Sequence, residues 1–188
     1  MRLDQFHHII RAAAAITGET LFVVIGSQAI LAQFEDAPPA LLRSQELDIY
    51  PKNRPELAEL IDGSIGSDSL FHVTFGYYAD GVGPETAKLP ADWEIRALRV
   101  QNDQTGNATA ICPEIHDLIV SKLVAGRAKD LDWIRDAFRT RLARPGSVEA
   151  LLDKVGCDPQ IIGAARHRLI AIARALRAGE GPEQGAGH

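Results

Sequence analysis

The chain has very little cysteine. Cys112 and Cys157 are the only two in 188 residues, and they lie far apart and outside any CxxC or Cys/His cluster. That argues against a disulfide framework and a structural zinc site, and it makes a reducing cytoplasm the expected setting. Long apolar runs are also missing. None approaches the roughly 18 residues of a membrane span, so no membrane is expected among the partners. The stretch "MRLDQFHHIIRAAAAITGE" does not read as a signal peptide, because Asp4 and Arg11 flank and interrupt what would be its apolar core. No internal repeat is present. A surplus of positive charge is lacking too: the net charge is −5. The balance is uneven, with 8 Lys/Arg against 15 Asp/Glu in residues 1–112 and 12 against 8 in residues 113–178. An acidic front half is unlike a general nucleic-acid binder. The basic second half is either a solvated helix surface or a local source of phosphate contacts.

What is present is an ordinary soluble composition, 46% hydrophobic and 24% charged, with length enough for one sizeable domain or one domain with a helical appendage. "LDQFHHIIRAAAAIT" spaces Phe6, Ile9, Ile10 and Ala13 as a helix does, and Gly18 ends the run. "LFVVIG" is short, β-branched and wholly apolar, which predicts a central strand buried on both faces. "SQAILAQF" predicts a helix with Ser27 as its N-cap. "EDAPPALLRS" is a loop by composition, and "ELDIYP" is a second strand stopped by Pro51. "RPELAELID" predicts a short helix, "LFHVTFGYY" a third strand, "DGVGPETAKLPADW" a long connection, "EIRALRV" a fourth strand and "NATAICP" a fifth. From residue 113 onward the periodicity is helical only, with Gly126 and Pro159 as punctuation. The fold class expected is therefore α/β or α+β: a small mixed sheet with flanking helices over residues 1–112, a helical subdomain over 113–178, and a disordered tail over 179–188.

The chemistry concentrates at two places. Glu46 and Asp48 stand two apart in "ELDIY", so on a strand they share one face while Leu47 and Ile49 point into the core. Two like charges so close raise each other's pKa unless a cation lies between them. A hard oxygen pair of this kind suits Mg²⁺, which takes few protein ligands and completes its shell with substrate phosphates. The plainer alternative is an exposed edge strand with an acidic outer face. About twenty residues earlier, Gly26 and Ser27 form a strand-to-helix turn, where backbone N–H groups at a helix start can receive an anion. A turn without a ligand uses the same residues.

Together these segments resemble the nucleotidyltransferase superfamily that includes DNA polymerase β. In that superfamily a Gly-Gly or Gly-Ser turn holds a triphosphate and an acid-x-acid strand binds Mg²⁺. "SQELD", Ser44 to Asp48, is similar to the T/S-x-D-h-D motif of small nucleotidyltransferases such as AbiE-type abortive-infection toxins and their MenT relatives. Glu46 departs from the usual Asp and lengthens that ligand by one methylene. "SKLVAGRAKDLDWIRDAF" is similar to the K…R-x-[KR]-D-x-x-D segment of the same group, and "YYADGVGPETAKLPADW" to a loop found in a subfamily of it.

The resemblance implies an NTP substrate held by Gly26, Ser27, Ser44, Lys122, Arg127 and Lys129, with Glu46, Asp48, Lys122 and Asp130 as catalytic residues. It implies Mg²⁺ on Glu46 and Asp48, and a hydroxyl of RNA or protein as acceptor. A cognate antitoxin or other partner protein is a further implied partner. Arg127 can grip phosphate oxygens with two bonds, whereas the lysines act as point cations. The rival reading of this helix is a row of i,i+3 ion pairs at Lys129–Asp132 and Asp132–Arg135. A third carboxylate, wanted on a neighbouring strand, is expected at Glu94 first and Asp80 second. His116 reads as a helix-surface residue, His7-His8 lacks metal-ligand spacing, and Tyr77-Tyr78 are strand aromatics with a face to offer a base. Two other functions remain open at the sequence level. One is an inactive, nucleotide-sensing partner. The other is an interaction module that works through the basic helix at 159–178.

Overall fold

The computed structural model describes residues 1–179; the expected tail beyond Gly179 lies outside the described residues. A helix α1 (Leu3–Thr17) buries Phe6, Ile9, Ile10 and Ala13 and ends on Gly18, whose φ of 72° is left-handed. There follow β1 (Leu21–Ile25), β2 (Glu46–Pro51), α2 (Ala58–Ile65), α3 (Leu70–Phe75), β3 (Tyr78–Gly81), α4 (Trp93–Arg96), β4 (Leu98–Val100) and β5 (Thr109–Cys112). Four helices complete the described chain: α5 (Ile115–Ala125), α6 (Ala128–Arg139), α7 (Pro145–Leu152) and α8 (Pro159–Gly179).

The five strands form one mixed sheet in the order β3-β2-β1-β5-β4. β1 is antiparallel to β2 and parallel to β5, β2 is parallel to β3, and β4 is antiparallel to β5. β1 is therefore central, as its unbroken apolar run predicts. Its alternate residues serve two clusters: Phe22 and Val24 join the main core, and Val23 and Ile25 join a smaller one with Tyr50 and Ile111. Each such fully buried side chain contributes roughly 1.5–3 kcal/mol. The main core runs without a break from α1 and the sheet into α5, α6, α7 and α8, taking in Leu123, Ile134, Leu152 and Leu169.

Four expected elements differ. "LFHVTFGYY" is mostly helix, and only Tyr78 of it lies in β3. Ser69 Oγ accepts a bond from His72 N at the start of α3, and Gly76 at φ 74° closes its end, so two caps outweigh the β-branched and aromatic composition. In "EIRALRV" the first three residues belong to α4 and only Leu98–Val100 are strand. Arg96 is held in that helical turn by ion pairs to Asp92, four residues earlier, and to buried Asp117. "SQAILAQF" forms a 3-10 helix, Ser27–Ala32, whose N-cap is Gly26 and not Ser27. "RPELAELID" likewise starts as a 3-10 turn, Pro55–Leu57, before becoming α2.

Candidate active site

One face of β2 turns Leu47 and Ile49 into the main core, while Glu46, Asp48 and Tyr50 face the other way. On that second face a cavity of about 640 Å³ opens between the sheet and helices α5 and α6. Glu46 and Asp48 line it, as do Gly26, Ser27, Ser44, Lys122, Arg127, Lys129 and Asp130. Every residue that the motifs single out for nucleotide or metal thus borders one space.

The parallel register of β2 and β3 pairs Asp48 with Asp80, so Asp80 also faces the cavity and is the neighbouring-strand carboxylate. Glu94, which the sequence favoured for that place, lies outside the cavity and pairs with Lys52 at the surface. The reason is its position in α4 instead of in a strand. Burial, reinforced by the charges of Glu46 and Asp80, pushes the Asp48 carboxyl up to about 6, against the opposing pull of Lys122 and Lys129. Burial likewise raises Asp80, with Asp62 and Glu46 adding to the effect. Glu46 accepts a bond from the Tyr78 hydroxyl at 3.1 Å and lies 3.7 Å from Lys129 Nζ.

Gly26 is required twice over. Its φ is 74°, and a Cβ there would fall 1.8 Å from Asp48 Oδ2. The backbone of the turn can therefore approach the carboxylate only because residue 26 has no side chain. The helix after it is a six-residue 3-10 turn, too short to carry much dipole. Positive charge arrives instead from α5. Lys122 Nζ donates to Ser27 Oγ at 2.8 Å and to Asp130 Oδ1 at 3.0 Å, and it sits 4.9 Å from the centre of the Trp133 ring. Burial lowers the Lys122 pKa and the Asp130 charge opposes that fall. Burial alone would raise Asp130, but the bond from Arg127, with Nε at 2.6 Å, and the Lys122 charge bring it below the ordinary carboxylate value.

Arg127 and Lys129 stand exposed at the rim. Lys129 reaches Glu46, so one of the two i,i+3 pairs expected on α6 is not formed, while Asp132–Arg135 is. Ser44 Oγ accepts from the Glu46 backbone N–H at 3.1 Å and so fixes the start of β2.

His116 bonds Glu114 and accepts from the Arg144 backbone N–H, away from the cavity. His7 pairs with Gln104 and His8 with Tyr77. Three contributors escaped the sequence reading: Trp133, Arg43 and the Tyr78 hydroxyl. Trp133 lies one helical turn after Asp130, a spacing that placed it beside the acid, but nothing local showed that Lys122 would cross over its ring.

Among the described residues no group of three or more His, Cys, Asp or Glu side chains is placed to hold a metal ion. The donor set does fit Mg²⁺ in the way that ion is usually shared, one or two carboxylates plus phosphate oxygens. Asp48 is raised first by burial and then by the charges of Glu46 and Asp80, and a divalent cation would offset that second part.

A mixed sheet that sets paired acids beside a glycine turn, faced by a lysine-bearing helix, defines a nucleotidyltransferase of the superfamily the motifs resemble. The chain belongs to the family described as "Nucleotidyltransferase of unknown function (DUF6036)", whose model matches residues 4–153. No curated protein and no solved structure matches it. Among the described residues no helix is long and apolar enough to cross a membrane.

Proposed function

We propose that the protein is a Mg²⁺-dependent transferase that moves a nucleotidyl group from an NTP to a hydroxyl. The acceptor oxygen forms a bond to the α-phosphorus, the bond from that phosphorus to the α,β-bridging oxygen breaks, and its electron pair leaves on the oxygen of pyrophosphate. The observation that carries this reading is the meeting of Asp48, Asp80 and the Gly26 turn across from Lys122 in one cavity. Gly26, Ser27 and Ser44 border the space for the triphosphate, and Lys122, Arg127 and Lys129 face its charge. Asp130 holds Lys122 against Ser27 and so aims the ammonium. Glu46 and Asp48 would hold Mg²⁺, which when bound supplies neutralisation of charge developing on the phosphate oxygens. Asp80, which faces the cavity beside Asp48 and is raised from its ordinary value by burial, takes the hydroxyl proton. The likeness to AbiE-type toxins extends the proposal to a toxin–antitoxin or phage-defence role with a cognate partner, for which growth arrest on expression is the expected sign.

The test is incubation with each labelled NTP, Mg²⁺, and either total RNA or lysate. Pyrophosphate release and a labelled acceptor are expected, both lost in Glu46→Gln and Asp48→Asn. The double variant should be little worse than either, because residues acting as one unit are not additive. Nucleotide-dependent thermal stabilisation without product would point to the sensing partner. No stabilisation at millimolar NTP would remove the transferase reading.

A further inference from the structure

We propose that the acceptor is a hydroxyl of a polypeptide segment bearing basic and apolar side chains, docked on the outer face of α3 and led along β3 to Asp80. This rests on the transferase reading above and chooses between its two acceptor classes. In phosphoryl-type transfer the attacking and leaving oxygens lie roughly in line. Pyrophosphate leaves on the side of Lys122 and Arg127, so the acceptor enters from the opposite side, where β3 and the segment after it form the wall with Asp80, Val82, Thr86 and Ala87.

The stretch of chain on that side is acidic on balance, with Arg54 and Lys88 at its two ends and the charges of Arg2 and Arg11 acting on Tyr77. Residues 55–87 contain Glu56, Glu59, Asp62, Asp68, Asp80 and Glu85 and no Lys or Arg. The cations that line the cavity are Arg43, Lys122, Arg127 and Lys129, from the loop before β2 and from the α5–α6 segment. RNA binding draws most of its affinity from lysines and arginines that displace counterions from phosphates, and an acidic flank would repel the strand instead. The helix that leads into β3, α3, packs on α1 through Phe71 and exposes apolar surface outward. Leu70 and Val73 are 86% and 78% exposed and, three apart on α3, share one face. Phe75 is 47% exposed and packs on Phe71 with ring centres 4.8 Å apart. Gly76 and Tyr77 alone separate α3 from β3, so this apolar face leads into the edge strand that carries Asp80. Asp68, whose backbone N–H bonds His72 of α3, together with the net acidity of residues 55–87, is complementary to a basic, apolar peptide.

The experiment uses the full chain with Mg²⁺ and α-labelled NTPs. Two acceptor mixtures are compared, protein-free total RNA and an RNase-treated lysate. A pair of synthetic peptides is added, in which Ser, Thr and Tyr are flanked by Leu with either Arg or Glu. Label that survives RNase and is lost to protease is expected, with the Arg peptide labelled at least about ten-fold faster than the Glu peptide. The variant Glu59→Lys/Leu70→Ser/Val73→Ser changes only exposed side chains. It should raise the KM for the Arg peptide about ten-fold with kcat nearly unchanged, since it removes docking and leaves the chemistry. Its stabilisation by NTP and Mg²⁺ should equal that of the parent. Label found in RNA, or equal labelling of the two peptides, overturns the proposal and leaves the transferase reading standing. No label in any acceptor removes both.

Discussion

Asp48 is the residue on which stability and chemistry pull in opposite directions. Its carboxyl ordinarily titrates near 3.8 and is raised to about 6 in the fold. The folded state therefore holds that proton more tightly than the unfolded chain does. Its contribution favours folding below about pH 4 and is lost as pH rises to about 6, an effect of roughly 2–3 kcal/mol. Asp48→Asn should flatten that part of the pH–stability profile and raise the melting temperature of metal-free protein at pH 8. Thermal scans from pH 3.5 to pH 8 check this, and a lower melting temperature for the variant at pH 8 would mean that the charge is structural. Lys122 makes the complementary prediction. A cation gains most from the most highly charged ligand, so Lys122→Ala should weaken ATP binding far more than AMP binding in calorimetry. Equal losses would place the ammonium away from the phosphates. Asp130 keeps its bonds from Arg127 in that variant, so the fold is expected to survive.

At the scale of elements, the sequence was most legible where one period ran unopposed. The uniform apolar run of β1 announced the central strand, the alternation of β2 announced which face would carry Glu46 and Asp48, and three-to-four spacing announced α1, α5 and α6. Short apolar runs were not legible in this way. Residues 70–78 have strand composition, but they obey the caps at Ser69 and Gly76, whose weight shows only in three dimensions. Losing the Ser69 cap should therefore matter: Ser69→Ala is expected to cost about 1 kcal/mol in denaturant unfolding. A change near zero would mean that α3 is held by its contacts with His8 and Tyr77 alone. The candidate site divides along the same line. Acids two apart on one strand are a local fact, whereas the choice of Asp80 over Glu94 depends on β3 lying next to β2. The pairing of Lys122 with Trp133 depends on how two helices cross, and sequence spacing carries no record of either.

For the molecule as a whole, the unbroken core decides how it comes apart. Side chains from the sheet and from the four helices after residue 113 share one apolar cluster. A single shared core favours unfolding as one unit. One transition, superimposable by far-ultraviolet circular dichroism and by calorimetry, is expected. Two separated transitions would show that residues 1–112 and 113–178 are independent domains. The charge asymmetry has its own meaning at this scale. On the proposed transferase reading, the basic helical half would face the phosphates and the acidic sheet half the acceptor.

Trp133, finally, donates its indole N–H to the Leu41 carbonyl and lies beneath the Lys122 ammonium. An indole that touches a cation and a backbone dipole emits light whose wavelength and yield depend on both. The only other tryptophan is Trp93. A Trp93→Phe variant would therefore report on one spot alone. If a triphosphate binds at Lys122 as proposed, adding it should change the emission in proportion to the site filled, while a nucleoside without phosphate should leave it unchanged. The protein thus carries an intrinsic optical probe in the cavity proposed for the triphosphate, and a binding curve can be drawn with no label attached.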